Sequence, residues 1–143
     1  MKILFILLLS SISSLVMADG YCERPDRIDP EFLVGLFGNY EIVGREPDSG
    51  ITYSGELEIQ NSKNGYALKR IVSGETAIGK AWVEFCSPDK FPVLKFKYEK
   101  MKQPLEGSCF LRMDGDNYYL ISCRTEYGKS KRGGLESMFQ RQN

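Results

Sequence analysis

The chain has 143 residues, with 19 basic and 19 acidic side chains, a formal charge of zero and no histidine. That balance gives no support to nucleic-acid binding or to docking on an anionic membrane, both of which show as a basic excess. Without histidine, Ser-His-Asp and Cys-His catalysis are excluded and the commonest general base is missing.

The chain opens with Lys2, an apolar run from Ile3 to Leu9, a serine-rich bridge and Val16-Met17-Ala18. This pattern predicts a secretory signal peptide over residues 1–18, cleaved after Ala18. The apolar run is too short, and too interrupted by Ser10, Ser11, Ser13 and Ser14, to span a membrane. Asp19, Gly20 and Tyr21 precede Cys22, so no lipid-attachment cysteine heads the cleaved chain. The expectation is a secreted or periplasmic protein with a single domain over residues 19–143, long enough to bury a core. Cleavage removes one cation, leaving one more acid than base.

An extended arm from Asp19 to Ile28, pinned by Cys22, comes next. Asp29-Pro30-Glu31 has the marks of a helix start: a side-chain oxygen at the N-cap, proline at the first helical position and an acid in the first turn. Phe32, Leu33, Leu36 and Phe37 recur at helical spacing before Gly38 stops the run, so a short helix is expected across one end of a sheet.

From there the periodicity switches to two. Strands are predicted over 39–45, 51–60, 65–73, 76–86, 92–100, 107–114, 117–126 and 134–140. The clearest, in the second of these, sets Ile51, Tyr53, Gly55, Leu57 and Ile59 against Thr52, Ser54, Glu56, Glu58 and Gln60. Glycine, proline, asparagine and aspartate punctuate the gaps, and no gap holds a crossover helix. The fold class is therefore all-β: an antiparallel up-and-down barrel of about eight strands, or a curved sandwich, with a short N-terminal helix. In the strand holding Trp82 both faces are partly apolar, so either its small residues face a crowded interior or Trp82 lies against an outer element such as that helix, the second being preferred.

Cys22, Cys86, Cys109 and Cys123 make an even count in an exported chain, which reads as two disulfides with three possible pairings. A bulged turn at Asp114-Gly115-Asp116-Asn117 would pair Met113 with Tyr119, Leu111 with Ile121 and Cys109 with Cys123, placing all six on one face. That register favours Cys109 with Cys123 and leaves Cys22 with Cys86 as a clasp on the arm. Cys86 with Cys109 and Cys22 with Cys123 remains the open alternative. With no C-x-x-C pair and no histidine, a structural zinc is not expected.

Few residues suggest chemistry. Glu56 and Glu58, with Glu41 opposite, could form the carboxylate pair of a glycosidase, but a solvated outer strand face explains them better. Serines with a lysine base lie in turns or on polar faces without the geometry of an activated nucleophile. Asp114, Asp116 and Asn117 resemble the start of a calcium loop whose twelfth position would be Thr125 instead of glutamate, so turn chemistry is preferred. No catalytic residue, metal or cofactor is expected. Lys129, Lys131 and Arg132, in a glycine-rich loop without phosphate-loop spacing, are a candidate partner surface, as is the Pro47–Gly50 turn. Inward aromatics would fill a small barrel or line a cavity in a wider one, and Tyr40, Tyr53, Leu57, Phe96 and Tyr98 form the candidate lining.

Gly38-Asn39-Tyr40, at the start of the first long strand, is similar to the Gly-x-Trp opening of lipocalin-like (calycin) barrels, with tyrosine in place of tryptophan. In that family a basic residue near the last strand covers the aromatic, a part the resemblance gives to Arg141. The layout also resembles small exported bacterial proteins of undefined function with Gly-x-Tyr, Tyr-x-Gly and closing Gly-x-Glu segments, here Gly38–Tyr40, Tyr53–Gly55 and Gly134–Glu136. The resemblance implies a binding barrel without catalytic residues. The expected function is non-catalytic binding of a small apolar ligand inside the barrel, or, as the alternative, of another protein through a loop end.

Overall fold

Alternating apolar and polar residues, broken by turn residues every ten positions or so, become a row of antiparallel strands. The computed structural model describes residues 21–26, 33, 35–113 and 119–142. The expected signal peptide, the expected helix start at Asp29-Pro30-Glu31 and the expected turn at Asp114–Asn117 lie outside them. The strands are β1 (Cys22–Glu23), β2 (Gly38–Arg45), β3 (Thr52–Ser62), β4 (Gly65–Val72), β5 (Glu75–Cys86), β6 (Phe91–Tyr98), β7 (Leu105–Met113), β8 (Tyr119–Tyr127) and β9 (Gly134–Gln140). Among the described residues there is no helix, and none long and apolar enough to cross a membrane.

Strands β2 to β9 each pair with the next, and β9 returns to β2, closing an eight-stranded up-and-down barrel. Closure leaves no long edge for another chain to pair with. The barrel is compatible with a lipocalin-like fold. Strand β5 is shared unevenly: residues 75–81 pair with β4 and residues 80–86 with β6. Beyond Ala81 the place of β4 is taken by β1, with Cys22 opposite Cys86 and Glu23 opposite Phe85. The arm is thus a short ninth strand, sealed by the Cys22–Cys86 disulfide. Arg24 donates to the Asn64 carbonyl at 2.9 Å and lies 5.5 Å from the centre of the Trp82 ring. The outer element over Trp82 is this arginine of the arm.

The β7–β8 register places Cys109 opposite Cys123, Leu111 opposite Ile121 and Met113 opposite Tyr119, and the Cys109–Cys123 disulfide joins the two strands inside the barrel. The interior is packed with side chains from every long strand, among them Tyr40, Ile42, Leu57, Ile59, Leu68, Val83, Phe96, Tyr98, Ile121 and Met138. Large rings fit because glycines face them. Phe96 lies across from Gly107 and Tyr53 from Gly44, and a Cβ on either glycine would overlap the ring.

Even-numbered strands from β2 to β8 run from the first end of the barrel to the second and odd-numbered strands from β3 to β9 return, so the two ends draw on different residues. At the first end Leu33 and Leu36 are buried, Tyr40 donates to the Leu36 carbonyl at 2.6 Å, and Gln140 donates to the Gly35 carbonyl at 2.6 Å. This turn covers the first end, as the expected helix would, and Phe37 stays exposed.

Candidate functional site

Toward the second end, the inward face carries groups that a barrel core does not require. Tyr53 shares its strand face with Gly55, Leu57 and Ile59, Arg70 lies two residues from Leu68, and Glu136 lies between Gly134 and Met138. Period-2 alternation therefore turns all three inward. Glu136 is 1% exposed and Arg70 6%. Arg70 donates to Glu136 Oε2 from Nη2 at 2.9 Å and from Nε at 3.2 Å, and Tyr53 donates to the same oxygen at 2.7 Å. The Arg70 guanidinium also lies 4.8 Å from the centre of the Tyr53 ring, a cation–π contact that holds both.

Glu136 Oε2 thus receives three donors, while Glu136 Oε1 has none. Among the described residues three more buried side-chain atoms have no hydrogen-bond partner: the Tyr98 hydroxyl and Thr125 Oγ1 inside the barrel, and Ser87 Oγ just after β5. Tyr98 and Thr125 are fully buried. Thr125 lies opposite Gly134 in the β8–β9 ladder, two residues from Glu136 on the same face. Tyr98 feels the field of the pair: burial first, then the negative charge of Glu136, pushes its hydroxyl well above the usual phenol range. Tyr53 is pushed up for the same reasons in the same order. Burial alone would lower Arg70, but the Coulomb attraction and hydrogen bonds of Glu136 raise it, so the guanidinium stays charged.

All five residues predicted to line an interior face inward. Tyr40, Leu57, Phe96 and Tyr98 belong to one core cluster, with Tyr53 packed against it. Tyr53 and Tyr98 reach the polar cluster, and Phe96 meets Tyr98 edge to face with ring centres 5.4 Å apart. Tyr40 belongs to the covered end. The Tyr-x-Gly and Gly-x-Glu segments meet in space through the Tyr53–Glu136 bond.

Arg70, Thr125 and the role of Glu136 escape a reading by pattern. The available signal was a lone charge on the apolar side of two alternating strands, positive on β4 and negative on β9. One structural expectation from the resemblance is corrected. Arg141 does not cover Tyr40, because its guanidinium bonds Glu41 and Glu56 on the outer face at 3.3 and 2.9 Å. Glu58 on that outer face accepts from Gln60.

The two loops named as separate partner surfaces are clasped together. Asp48 Oδ1 accepts from the backbone N–H groups of Lys131 and Arg132 at 2.8 and 2.9 Å, and Arg132 Nη2 donates to the Asp48 carbonyl at 2.6 Å. Lys129, Lys131 and Arg132 remain exposed. The clasp sits at the second end, where Gly134 packs against Pro47 and Thr125. On the outer wall a groove of about 340 Å³ is lined by Cys86, Phe91, Val93 and Phe110, with both phenylalanines largely exposed. No protein-family model matches this chain, and comparison with curated proteins and with solved structures returned no match.

Proposed function

We propose that the protein is an exported, non-catalytic binding protein that holds a small molecule inside its barrel, at the end occupied by Tyr53, Arg70, Glu136, Tyr98 and Thr125. The observation that carries this reading is the trio of buried, unpartnered polar atoms beside a buried ion pair. Each such atom costs about 1–3 kcal/mol when left unsatisfied, and a buried ion pair adds little net stability over a hydrophobic core. A barrel built for stability alone would place aliphatic side chains at these positions. A ligand that supplies the missing hydrogen bonds gives the groups a use.

Tyr53, Phe96 and Tyr98 offer rings for the ligand's apolar body, in keeping with the apolar ligand expected from the sequence. Two disulfides support an oxidising, extracytoplasmic setting. Native mass spectrometry of the protein recovered from the export compartment tests the reading. A small species retained in the gas phase and released on unfolding is the expected result. A bare polypeptide mass, with no displacement of an interior-binding dye by apolar small molecules, would end it. That result would leave the protein-binding alternative, for which the exposed Lys129 and Lys131 on the clasped loops are the supporting feature.

A further inference from the structure

We infer that the Cys22–Cys86 disulfide is a reducible latch on the N-terminal arm: a dithiol that opens it frees β1 and uncovers the end of β5 while the barrel stays closed. The inference is independent of what the barrel interior holds.

The sheet is thin at one place. Strand β4 accompanies β5 as far as Ala81, and from Trp82 to Cys86 the same side of β5 faces only the two residues of β1 among the described strands. The arm buries little of its own. Tyr21, Cys22, Glu23 and Arg24 are all exposed, Tyr21 at 74%, and none of them belongs to the core cluster. Apart from the disulfide, the described residues tie the arm down by the two-residue ladder, the Ser87 N–H donated to the Tyr21 carbonyl at 3.0 Å, and Arg24 between the Asn64 carbonyl and the Trp82 ring. A few exposed contacts of this kind add little against the entropy of ordering a chain end, which stays loose unless something holds it. The disulfide is what holds it. The barrel itself closes through the ladders of β2 to β9 and needs no part of the arm.

The two disulfides differ in access, and access governs thiol–disulfide exchange, because a thiolate must reach a sulfur. Cys109 is 0% exposed and Cys123 4%, between β7 and β8 on the inward face, so a reductant meets them only after the barrel opens. Cys22 is exposed, and half-buried Cys86 lines the outer groove with Phe91, Val93 and Phe110. One thiolate of the dithiol attacks the Cys22 sulfur, the S–S bond breaks, and Cys86 leaves as a thiolate that takes up a proton. The dithiol's second thiolate then attacks its own sulfur in the mixed disulfide, closing the dithiol's S–S bond and releasing Cys22. Two electrons pass from the dithiol to the protein, which gains two thiols. Once free, β1 leaves the edge at Phe85 and Cys86 and takes Arg24 away from Trp82, exposing a strand edge of the kind another chain can pair with.

The test treats the oxidised protein, as exported, with rising concentrations of dithiothreitol in native buffer, blocks free thiols with iodoacetamide and locates them by peptide mass spectrometry. A species blocked at Cys22 and Cys86 alone is expected to accumulate, forming at least roughly tenfold faster than blocking at Cys109 and Cys123. In that species the Ser87 amide, deprived of the Tyr21 carbonyl, should exchange hydrogen at least about tenfold faster. Emission from Trp82, the chain's single tryptophan, should shift, while the amides of β7 and β8 keep their protection. Opening of both disulfides together with loss of that protection would overturn the inference, as would opening of Cys109–Cys123 first. A two-thiol species with unchanged Ser87 exchange and unchanged Trp82 emission would also overturn it, since the arm would then be held by its own contacts. None of these outcomes bears on the interior-binding reading, which native mass spectrometry decides separately.

Discussion

The two ends of this barrel solve the same problem differently. At the covered end two polar groups that enter the interior have partners: Tyr40 reaches the Leu36 carbonyl, and Gln140 spans from Gly35 to the Tyr119 N–H. At the other end the chain buries a full charge of each sign and leaves Glu136 Oε1, Tyr98 Oη and Thr125 Oγ1 without partners. Both ends belong to the same sheet, with the same ladder and the same alternation, so the backbone does not dictate the contrast. It lies in which inward positions carry polar atoms and whether those atoms are answered. The first end is tied down by its own chain, and the second keeps an ion pair and three unanswered polar atoms.

The largest expected effect comes from breaking the ion pair on one side. Arg70→Met leaves Glu136 buried and uncompensated and should destabilise the protein by about 3–5 kcal/mol. Arg70→Met combined with Glu136→Leu should recover most of that loss, because two apolar side chains of similar size replace a pair with little net stability of its own. Urea unfolding monitored by fluorescence of Trp82 measures both. A double variant as unstable as the single one would show that the pair is structural and would erase the distinction between the ends.

Much of the barrel was legible in the sequence because one-sided strands broadcast their face. The alternation from Ile51 to Gln60 and the matched hydrophobics around Cys109 and Cys123 are local signals, and the turn residues between strands mark where each run stops. The observed β7 starts at Leu105, directly after Pro104, which is two residues earlier than the alternation suggests. The site was less visible. Arg70 and Glu136 are 66 residues apart, and a period-2 pattern reports which side a charge takes without naming its partner. The clasp is hidden for the same reason, since Asp48 and Lys131 are 83 residues apart and meet only once β9 closes on β2. Gly44 and Gly107 look like weak points in alternating strands until Tyr53 and Phe96 fill the space above them.

A smaller effect separates the ends hydroxyl by hydroxyl. Tyr40→Phe removes a satisfied buried bond and should lower stability by about 1 kcal/mol, a fall in Tm of roughly 4 °C. Tyr98→Phe removes an unsatisfied one and should leave the ligand-free protein unchanged or raise its Tm by a similar amount. Calorimetry of the two variants side by side reads the difference in sign. Equal losses at both positions would mean that the Tyr98 hydroxyl is as well served as that of Tyr40.

The smallest effect concerns the clasp over the unfinished end. The backbone N–H of Arg132, then that of Lys131, together with the charges of those residues, holds the Asp48 carboxyl below its ordinary value near 3.8. A depressed folded value means that the carboxylate's contribution is complete above the ordinary value and is lost as pH falls through the depressed one. Amide hydrogen exchange should therefore show Lys131 and Arg132 protected at neutral pH and exposed once the solution is acidified below the usual aspartate range. The Tyr119 N–H, held by the uncharged Gln140 amide at the covered end, should keep its protection over the same interval. Asp48→Asn retains an oxygen acceptor and a residue type that tolerates the positive φ of 60° found there, so it should remove the pH dependence without opening the barrel. If the loop opened at the same pH in the asparagine variant, Asp48 would not be the latch.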